Sequence, residues 1–174
     1  MKRSLAPILC AVTFLGAGCA GPHTPLPTVE TVDLDRYAGR WYEIARLPNR
    51  FQARCVSDTR ATYAREGERF SVLNECRTEA DSLDSARGIA RVVEGSGNGK
   101  LRVSFFRPFH GDYWILALDP DYRWVLVGEP ARRYAWILAR TTRLDPDILE
   151  ALFTRAAALG FDRSAFLATP HTQR

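Results

Sequence analysis

Two stretches decide the fold: Gly39-Arg40-Trp41-Tyr42-Glu43-Ile44-Ala45-Arg46 and, late in the chain, Tyr134-Ala135-Trp136-Ile137-Leu138-Ala139-Arg140. A Gly-x-Trp sequence opens the first predicted strand, and Arg140 closes the last one. The first and last strands of a closed β-barrel are neighbours, so Arg140 can lie across the indole of Trp41. Such a cation–π contact contributes about 0.5–2 kcal/mol. The pair is therefore expected to plug one end of a small barrel.

Between these stretches, alternating apolar residues recur with turn residues between them. They predict strands near residues 41–47, 55–64, 69–77, 86–94, 100–107, 112–119, 123–129 and 134–140. This spacing favours an antiparallel barrel or sandwich. The period then becomes helical, with Pro146 at the start of a helix and Gly160 at its end. A single helix after eight strands is expected to pack on the outside of the sheet.

The N-terminus has the pattern of a secretory signal over residues 1–18, with Lys2 and Arg3 before an apolar run. Small residues precede Cys19, as at the lipidation site of bacterial lipoproteins, although Leu15 lies one place further from Cys19 than is usual. The alternative is simple cleavage to a soluble periplasmic protein. Ala20, rather than Asp, predicts the outer membrane, with the protein facing the periplasm. Residues 19–32 then form a lipid-anchored, proline-rich tether, and residues 33–170 form one domain.

Composition excludes some classes of partner. The chain has 24 basic and 20 acidic residues, a formal net charge of +4, and Lys2 and Arg3 belong to the predicted signal. Its longest basic cluster outside that signal is Arg132-Arg133, so nucleic acid is not an expected partner.

Two cysteines, Cys55 and Cys76, remain after Cys10 in the signal and Cys19 at the anchor. An oxidising compartment favours a disulfide between them. If Ala64 pairs with Gly67 at the turn, residue 61 faces 70 and residue 55 faces 76, which places the two cysteines opposite each other. A metal or redox site is the weaker alternative, since no set of His or acidic ligands accompanies the pair.

Four sequence blocks in order resemble the lipocalins, including the bacterial outer-membrane lipoproteins of that family and apolipoprotein D. They are 39–46, 103–109 (Val-Ser-Phe-Phe-Arg-Pro-Phe), 113–119 (Tyr-Trp-Ile-Leu-Ala-Leu-Asp) and 134–141 (Tyr-Ala-Trp-Ile-Leu-Ala-Arg-Thr). The resemblance implies a mainly β fold: an eight-stranded antiparallel up-and-down β-barrel with one C-terminal α-helix outside. Gly39, Trp41 and Arg140 are its structural signature. It also implies a carrier of a small hydrophobic ligand, a fatty acid or a lysophospholipid, that serves in envelope maintenance.

Side chains alternate between the two faces of a strand, so Trp41 inside places Glu43 and Ala45 inside. The same parity gives an apolar, aromatic-rich interior suited to an acyl chain. Glu43, a costly inward carboxylate, is expected either to meet an internal Tyr or Arg or to orient a head group. The predicted ligand-binding residues are Glu43, Ala61, Tyr63, Phe70, Ala90, Val103, Phe105, Tyr113, Ile115, Tyr134, Trp136 and Leu138.

The same residues are compatible with other interpretations. The interior side chains could fill a packed barrel, and the arginines of the loops at 47–54 and 107–110 are either anion ligands or solvated. An enzyme on the same barrel would need a nucleophile with a positioned base, and no such set is evident. A haem or tetrapyrrole carrier would use His110 as axial ligand. The prediction is a non-enzyme without cofactor or metal, and a homodimer is left open.

Overall fold

The structure is a computed structural model that describes residues 25–67 and 69–172. The predicted signal, the Cys19 anchor and residues 19–24 of the tether lie outside the described residues. The elements are α1 (Leu34–Tyr37), β1 (Gly39–Arg46), β2 (Cys55–Glu66), β3 (Arg69–Thr78), β4 (Leu83–Val92), β5 (Lys100–Phe106), β6 (Phe109–Leu118), β7 (Trp124–Gly128), β8 (Ala135–Ala139), α2 (Pro146–Ala158) and β9 (Leu167–Ala168). Short 3₁₀ turns cover Arg50–Gln52 and Arg163–Ala165. In the described part of the chain, no helix is long and apolar enough to cross a membrane.

The strands close into a barrel, as predicted. Each of β2 to β7 pairs antiparallel with the next strand, β8 pairs with β1, and β1 pairs with β2. Two strands begin earlier than the alternation indicates, β4 at Leu83 and β6 at Phe109, because their first residues still pair with Arg77 and Phe106. We call the end at which β1, β3, β5 and β7 finish the open end, and the opposite end the closed end.

The closed end is plugged by the predicted pair. The Arg140 guanidinium lies 3.8 Å from the centre of the Trp41 ring, and Trp41 is fully buried. The Trp41 indole N–H donates to the Tyr37 carbonyl at 2.8 Å, and Arg140 donates to the carbonyls of Arg36 and Arg40. Gly39 has φ +96°, and a Cβ there would lie 3.3 Å from Arg140 Nη1. The signature glycine therefore gives the backbone a left-handed conformation and leaves room for the arginine.

A bulge in β1 corrects the predicted strand parity. Glu43 pairs with Leu138, but Ala45 pairs with Ile137, so the register shifts between Glu43 and Ala45. Ile44 and Ala45 both join the cluster on the outer surface, and the prediction that Ala45 faces inward is wrong. The extra residue of a bulge reverses the alternation beyond it, which brings Arg46 back to the face of Glu43.

Helix α2 packs on the outside of the barrel, as predicted. Asp145 accepts a hydrogen bond from the Asp147 backbone N–H, and Pro146 occupies the first turn, which suits its missing N–H. Leu152 and Ala156 are buried against the strands. Together with Ile44, Ala45, Leu116, Leu126, Ile137 and Phe161 they belong to an outer cluster between helix and sheet.

The disulfide between Cys55 and Cys76 is present, but the predicted register is wrong. Glu66 pairs with Arg69 at the turn, so Ala61 faces Asn74 rather than Phe70. Two register shifts between Cys55 and Arg60 then place Cys55 opposite Thr78. The Cα atoms of the two cysteines are 5.5 Å apart, within the usual range for a disulfide. These register shifts bring the two cysteines together, and the alternation of apolar residues in the sequence does not reveal them.

The C-terminal segment, residues 167–172, fills a seam where β1 and β2 diverge. Strands β1 and β2 pair only over residues 39–42 of β1. Beyond that point β9 pairs with Ala45 and Arg46, and the Asp58 N–H donates to the Pro170 carbonyl at 2.9 Å. Asp58 then accepts from Thr172 through both the backbone N–H (2.8 Å) and the hydroxyl (2.6 Å). Residues 167–172 therefore connect β1 with β2 by hydrogen bonds to both strands.

We expect Asp58→Asn to lower the free energy of unfolding at pH 7 by about 1–3 kcal/mol, because it weakens charge-assisted hydrogen bonds. Burial acts to raise the pKa of Asp58, but the bonds from Thr172 and the neighbouring His171 outweigh it and lower the pKa. A lowered folded pKa gives stability that is present above the unfolded value of about 3.9 and is lost as pH falls through the folded value. Urea titrations at pH 7 and at low pH should therefore show the difference shrinking in acid.

Asp81→Asn is the matched control, because Arg77 lies within ion-pair distance of both Asp58 (3.6 Å) and Asp81 (3.0 Å). The Asp81 side chain is exposed, and its loss should change stability by less than about 0.5 kcal/mol. Both aspartates have positive φ, which asparagine tolerates, so neither substitution strains the backbone. Equal losses for the two variants would contradict a stabilising role for the C-terminal segment.

Candidate functional site

The interior of the barrel has a packed part and an accessible part. Around the plug, Tyr37, Trp41, Phe70 and Leu101 are each at most 1% exposed. Other inward side chains stay half-buried although eight strands surround them. These are Ala61, Val103, Phe105, Tyr113 and Trp136.

Most of the predicted ligand-binding residues come together in this interior. An inner cluster contains ten of them: Ala61, Tyr63, Phe70, Ala90, Val103, Phe105, Tyr113, Ile115, Trp136 and Leu138. Glu43 is also buried and faces the same way. Tyr134 is different, since its ring contacts Phe51 of the β1–β2 loop (5.5 Å between ring centres) and stands at the rim of the open end.

Glu43 is held by groups of the protein itself. Its carboxylate accepts from Gln52 Nε2 (2.6 Å) and Thr169 Oγ1 (2.6 Å), and Arg46 Nε lies 3.3 Å from it. Burial raises the pKa of Glu43, and these three partners act against the rise. Of the two roles expected for Glu43, the structure shows the contact with an internal arginine, which the bulge in β1 makes possible.

Gln52 connects Glu43 to the cavity wall. Its side-chain oxygen accepts from the Trp136 indole N–H at 3.0 Å and from Asn49 Nδ2 at 2.7 Å. The 3₁₀ turn at Arg50–Gln52, capped by the Asn49 side chain, brings the amide to this point. Sequence reasoning missed Gln52, because a loop residue has no strand parity that would show where its side chain points.

Three tyrosine hydroxyls meet inside the barrel. The Tyr113 oxygen lies 2.7 Å from that of Tyr37, and Tyr63 donates to it at 3.1 Å. Burial raises the pKa of Tyr63 to about 12 and raises those of Tyr37 and Tyr113, so all three stay protonated near neutral pH. Three O–H groups share two hydrogen bonds, which leaves one proton for a further acceptor. Tyr37 was not predicted, because it belongs to α1, before the first strand.

Asn74 is a second polar group that the sequence analysis did not select. It lies opposite Ala61 on β2 and Ala86 on β4, on the same face as Phe70 and Val72. Its side-chain oxygen is buried without a hydrogen-bond partner, the one such atom in the described part of the chain. A buried amide oxygen without a partner is costly, so this position can favour a bound donor. Asn74 follows Phe70 and Val72 at a spacing of two residues, so strand alternation could have identified it as inward-facing.

His110 does not face the interior. Gly111 pairs with Val103 on the inward row of β6, so the neighbouring His110 faces outward and is exposed. Within residues 25–67 and 69–172, no group of three or more His, Cys, Asp or Glu side chains is close enough to hold a metal ion. The hypothesis of a haem carrier requires His110 inside the barrel, and the outward position of this residue does not support it.

Comparison with known proteins is consistent with this architecture. Residues 32–171 match the model of a family described as a lipocalin-like domain. The chain is 36% identical over 169 residues to the outer membrane lipoprotein Blc of Escherichia coli K12, covering 94% of this chain and 95% of that protein. It is 34% identical over 142 residues to apolipoprotein D of Macaca fascicularis, covering 76% and 73%. Insecticyanin of the tobacco hornworm superposes with a TM-score of 0.72 at 22% identity, with 88% of each chain covered.

Proposed function

Since the chain belongs to the lipocalin family, we propose that it is a carrier that holds one acyl chain in the accessible part of its barrel. The ligand class is a fatty acid or a lysophospholipid. The observation that carries this proposal is the ring of half-buried apolar side chains on the inner wall, Val103, Phe105 and Trp136 among them. Burying an acyl chain there yields about 25 cal/mol per Å² of apolar surface.

The polar groups of the interior suit the head of such an amphiphile. The spare tyrosine proton offers a donor to a carbonyl oxygen, and Asn74 offers an acceptor to a hydroxyl. Glu43 is already satisfied by Gln52, Thr169 and Arg46, so its proposed part is to fix Gln52 and, through it, Trp136. A carrier needs only these binding groups, and we propose no catalytic role for any of them.

The proposed location is the outer membrane, with the barrel on the periplasmic side. Cys19 would carry the lipid anchor, and residues 19–32 would serve as the tether. Two features support this: the small residues before Cys19 in the sequence, and relatives that are themselves named outer membrane lipoproteins. In that place the carrier would hold membrane lipids during envelope maintenance.

Native mass spectrometry of the full chain with Cys19→Ser, followed by organic extraction, tests the carrier proposal. We expect a co-purified acyl lipid that added fatty acid displaces. Affinity should rise about fourfold for each added CH₂, because each contributes about 0.8 kcal/mol. A chain that carries no lipid and takes up neither fatty acid nor lysophospholipid would overturn the proposal.

Ala61→Phe should reduce acyl-chain affinity at least about tenfold, since it fills the accessible part of the barrel opposite Asn74 with a ring. Fluorescent fatty-acid titration measures the loss. Ala157→Phe, on the exposed face of α2, adds the same ring outside the barrel and should bind as the parent does. Unchanged binding by Ala61→Phe would place the ligand elsewhere.

A further inference from the structure

The exposed large apolar side chains of the described residues all lie at the open end. Phe106 (78% exposed) and Phe109 (76%) form the tip of the β5–β6 hairpin, and Phe51 (66%) lies in the β1–β2 loop. The other three are Val56 near the start of β2, Leu83 at the start of β4, and Leu167, which lies opposite Arg46. Isolated exposed apolar residues are ordinary, but their collection at one end of a barrel marks an interaction surface.

An outer cleft of about 690 Å³ lies beside this hairpin, on the outside of β4 and β5. Ile89 and Pro108 contribute its apolar part. Its charged part consists of four arginines and a histidine: Arg87, Arg91, Arg102, Arg107 and His110.

Among the residues that the structure describes, the arginines of the outer cleft have no acidic partners. None of the four forms an ion pair with a carboxylate in residues 25–67 and 69–172, whereas arginines elsewhere on the surface, such as Arg60 with Glu75, do. Arg91 and Arg102 lie directly opposite each other in the β4–β5 ladder. Asp112 is opposite Arg102 on β6 yet makes no ion pair with it. Like charges placed opposite each other destabilise a sheet, so this arrangement suits an external anion better than it suits stability.

We infer that the outer cleft and the β5–β6 tip dock the barrel onto an anionic phospholipid bilayer. Phe106 and Phe109 bury their apolar rings at the boundary between head groups and acyl chains, and the arginines contact lipid phosphates. The outer face of β4 and β5 then lies against the membrane, with the tip of the β5–β6 hairpin inserted at the open end of the barrel. This contact is separate from the cavity of the proposed function and from any lipid on Cys19, so the two proposals can fail independently.

Vesicle co-sedimentation of the full chain with Cys19→Ser tests this inference. The parent should bind vesicles of equal parts phosphatidylglycerol and phosphatidylcholine, and should bind pure phosphatidylcholine much more weakly. Arg91→Gln/Arg102→Gln should weaken binding about 30-fold, since each basic residue near an anionic surface contributes roughly a fivefold factor. Phe106→Ser/Phe109→Ser should also release the protein.

The matched control is Arg143→Gln/Arg155→Gln, which removes two exposed arginines near and on α2 and should keep vesicle binding within about threefold of the parent. Arg91→Gln/Arg102→Gln relieves a repulsion, so its melting temperature should not fall, and its fatty-acid uptake in solution should match the parent. An equal loss in the control pair would overturn the inference in favour of general charge attraction. Full competition by soluble glycerol phosphate would overturn it in favour of a small-anion site. Equal binding to both vesicle types would overturn it as well, because phosphatidylcholine has a phosphate but no net charge, and the inference requires an anionic bilayer.

Discussion

Trp41→Ala is expected to lower the free energy of unfolding by about 3–5 kcal/mol, the range for removing a large aromatic side chain from a core. The indole is fully buried, and its loss leaves a cavity at the closed end beside Tyr37. The change also removes the hydrogen bond to the Tyr37 carbonyl and the ring on which Arg140 lies. Urea denaturation followed by far-UV circular dichroism measures the loss.

Trp114→Ala is the matched control for this change. Trp114 also has a cation over its ring, with Lys100 Nζ 4.2 Å from the ring centre, but it is half-buried and faces outward against the outer cluster. Its removal should cost about 1–2 kcal/mol, because less apolar surface is lost. Equal losses in the two variants would contradict the prediction that burial makes the Trp41–Arg140 pair more stabilising than the half-buried Trp114–Lys100 pair.

Removal of the disulfide is the second change with a large expected effect. The cysteines are 21 residues apart, and a cross-link that closes a loop of this size stabilises by about 3 kcal/mol, because it restricts the unfolded chain. The double variant Cys55→Ser/Cys76→Ser should lose about that amount in urea denaturation. Its far-UV spectrum should stay that of the folded parent, since β2 and β3 pair along most of their length without the bond.

Reduction of the parent protein provides the control. The parent in excess dithiothreitol should show the same loss as the double variant, and the double variant itself should not respond to the reductant. A variant as stable as the oxidised parent would mean that the strand pairing alone fixes this part of the barrel. A large loss of secondary structure would contradict the view that the disulfide acts mainly on the unfolded state.

The sequence by itself determined the elements and their order. Alternation of apolar residues predicted the strands, and Pro146 and Gly160 marked the limits of α2. The Gly39, Trp41 and Arg140 signature gave the plug, and two remaining cysteines gave the disulfide. These features are local or depend on residue type, so a pattern along the chain is enough to identify them.

Only the tertiary structure decided the rest, and the reason is that one inserted residue changes everything beyond it. The bulge at Ile44 and Ala45 moves Ala45 outward and sets Arg46 beside Glu43, while register shifts in β2 bring Cys55 near Cys76. The C-terminal segment at Asp58 and the outer cleft join residues far apart in sequence. The alternation of apolar residues along the chain reveals neither a bulge nor a contact between distant strands, because both arise only when the sheet twists and closes.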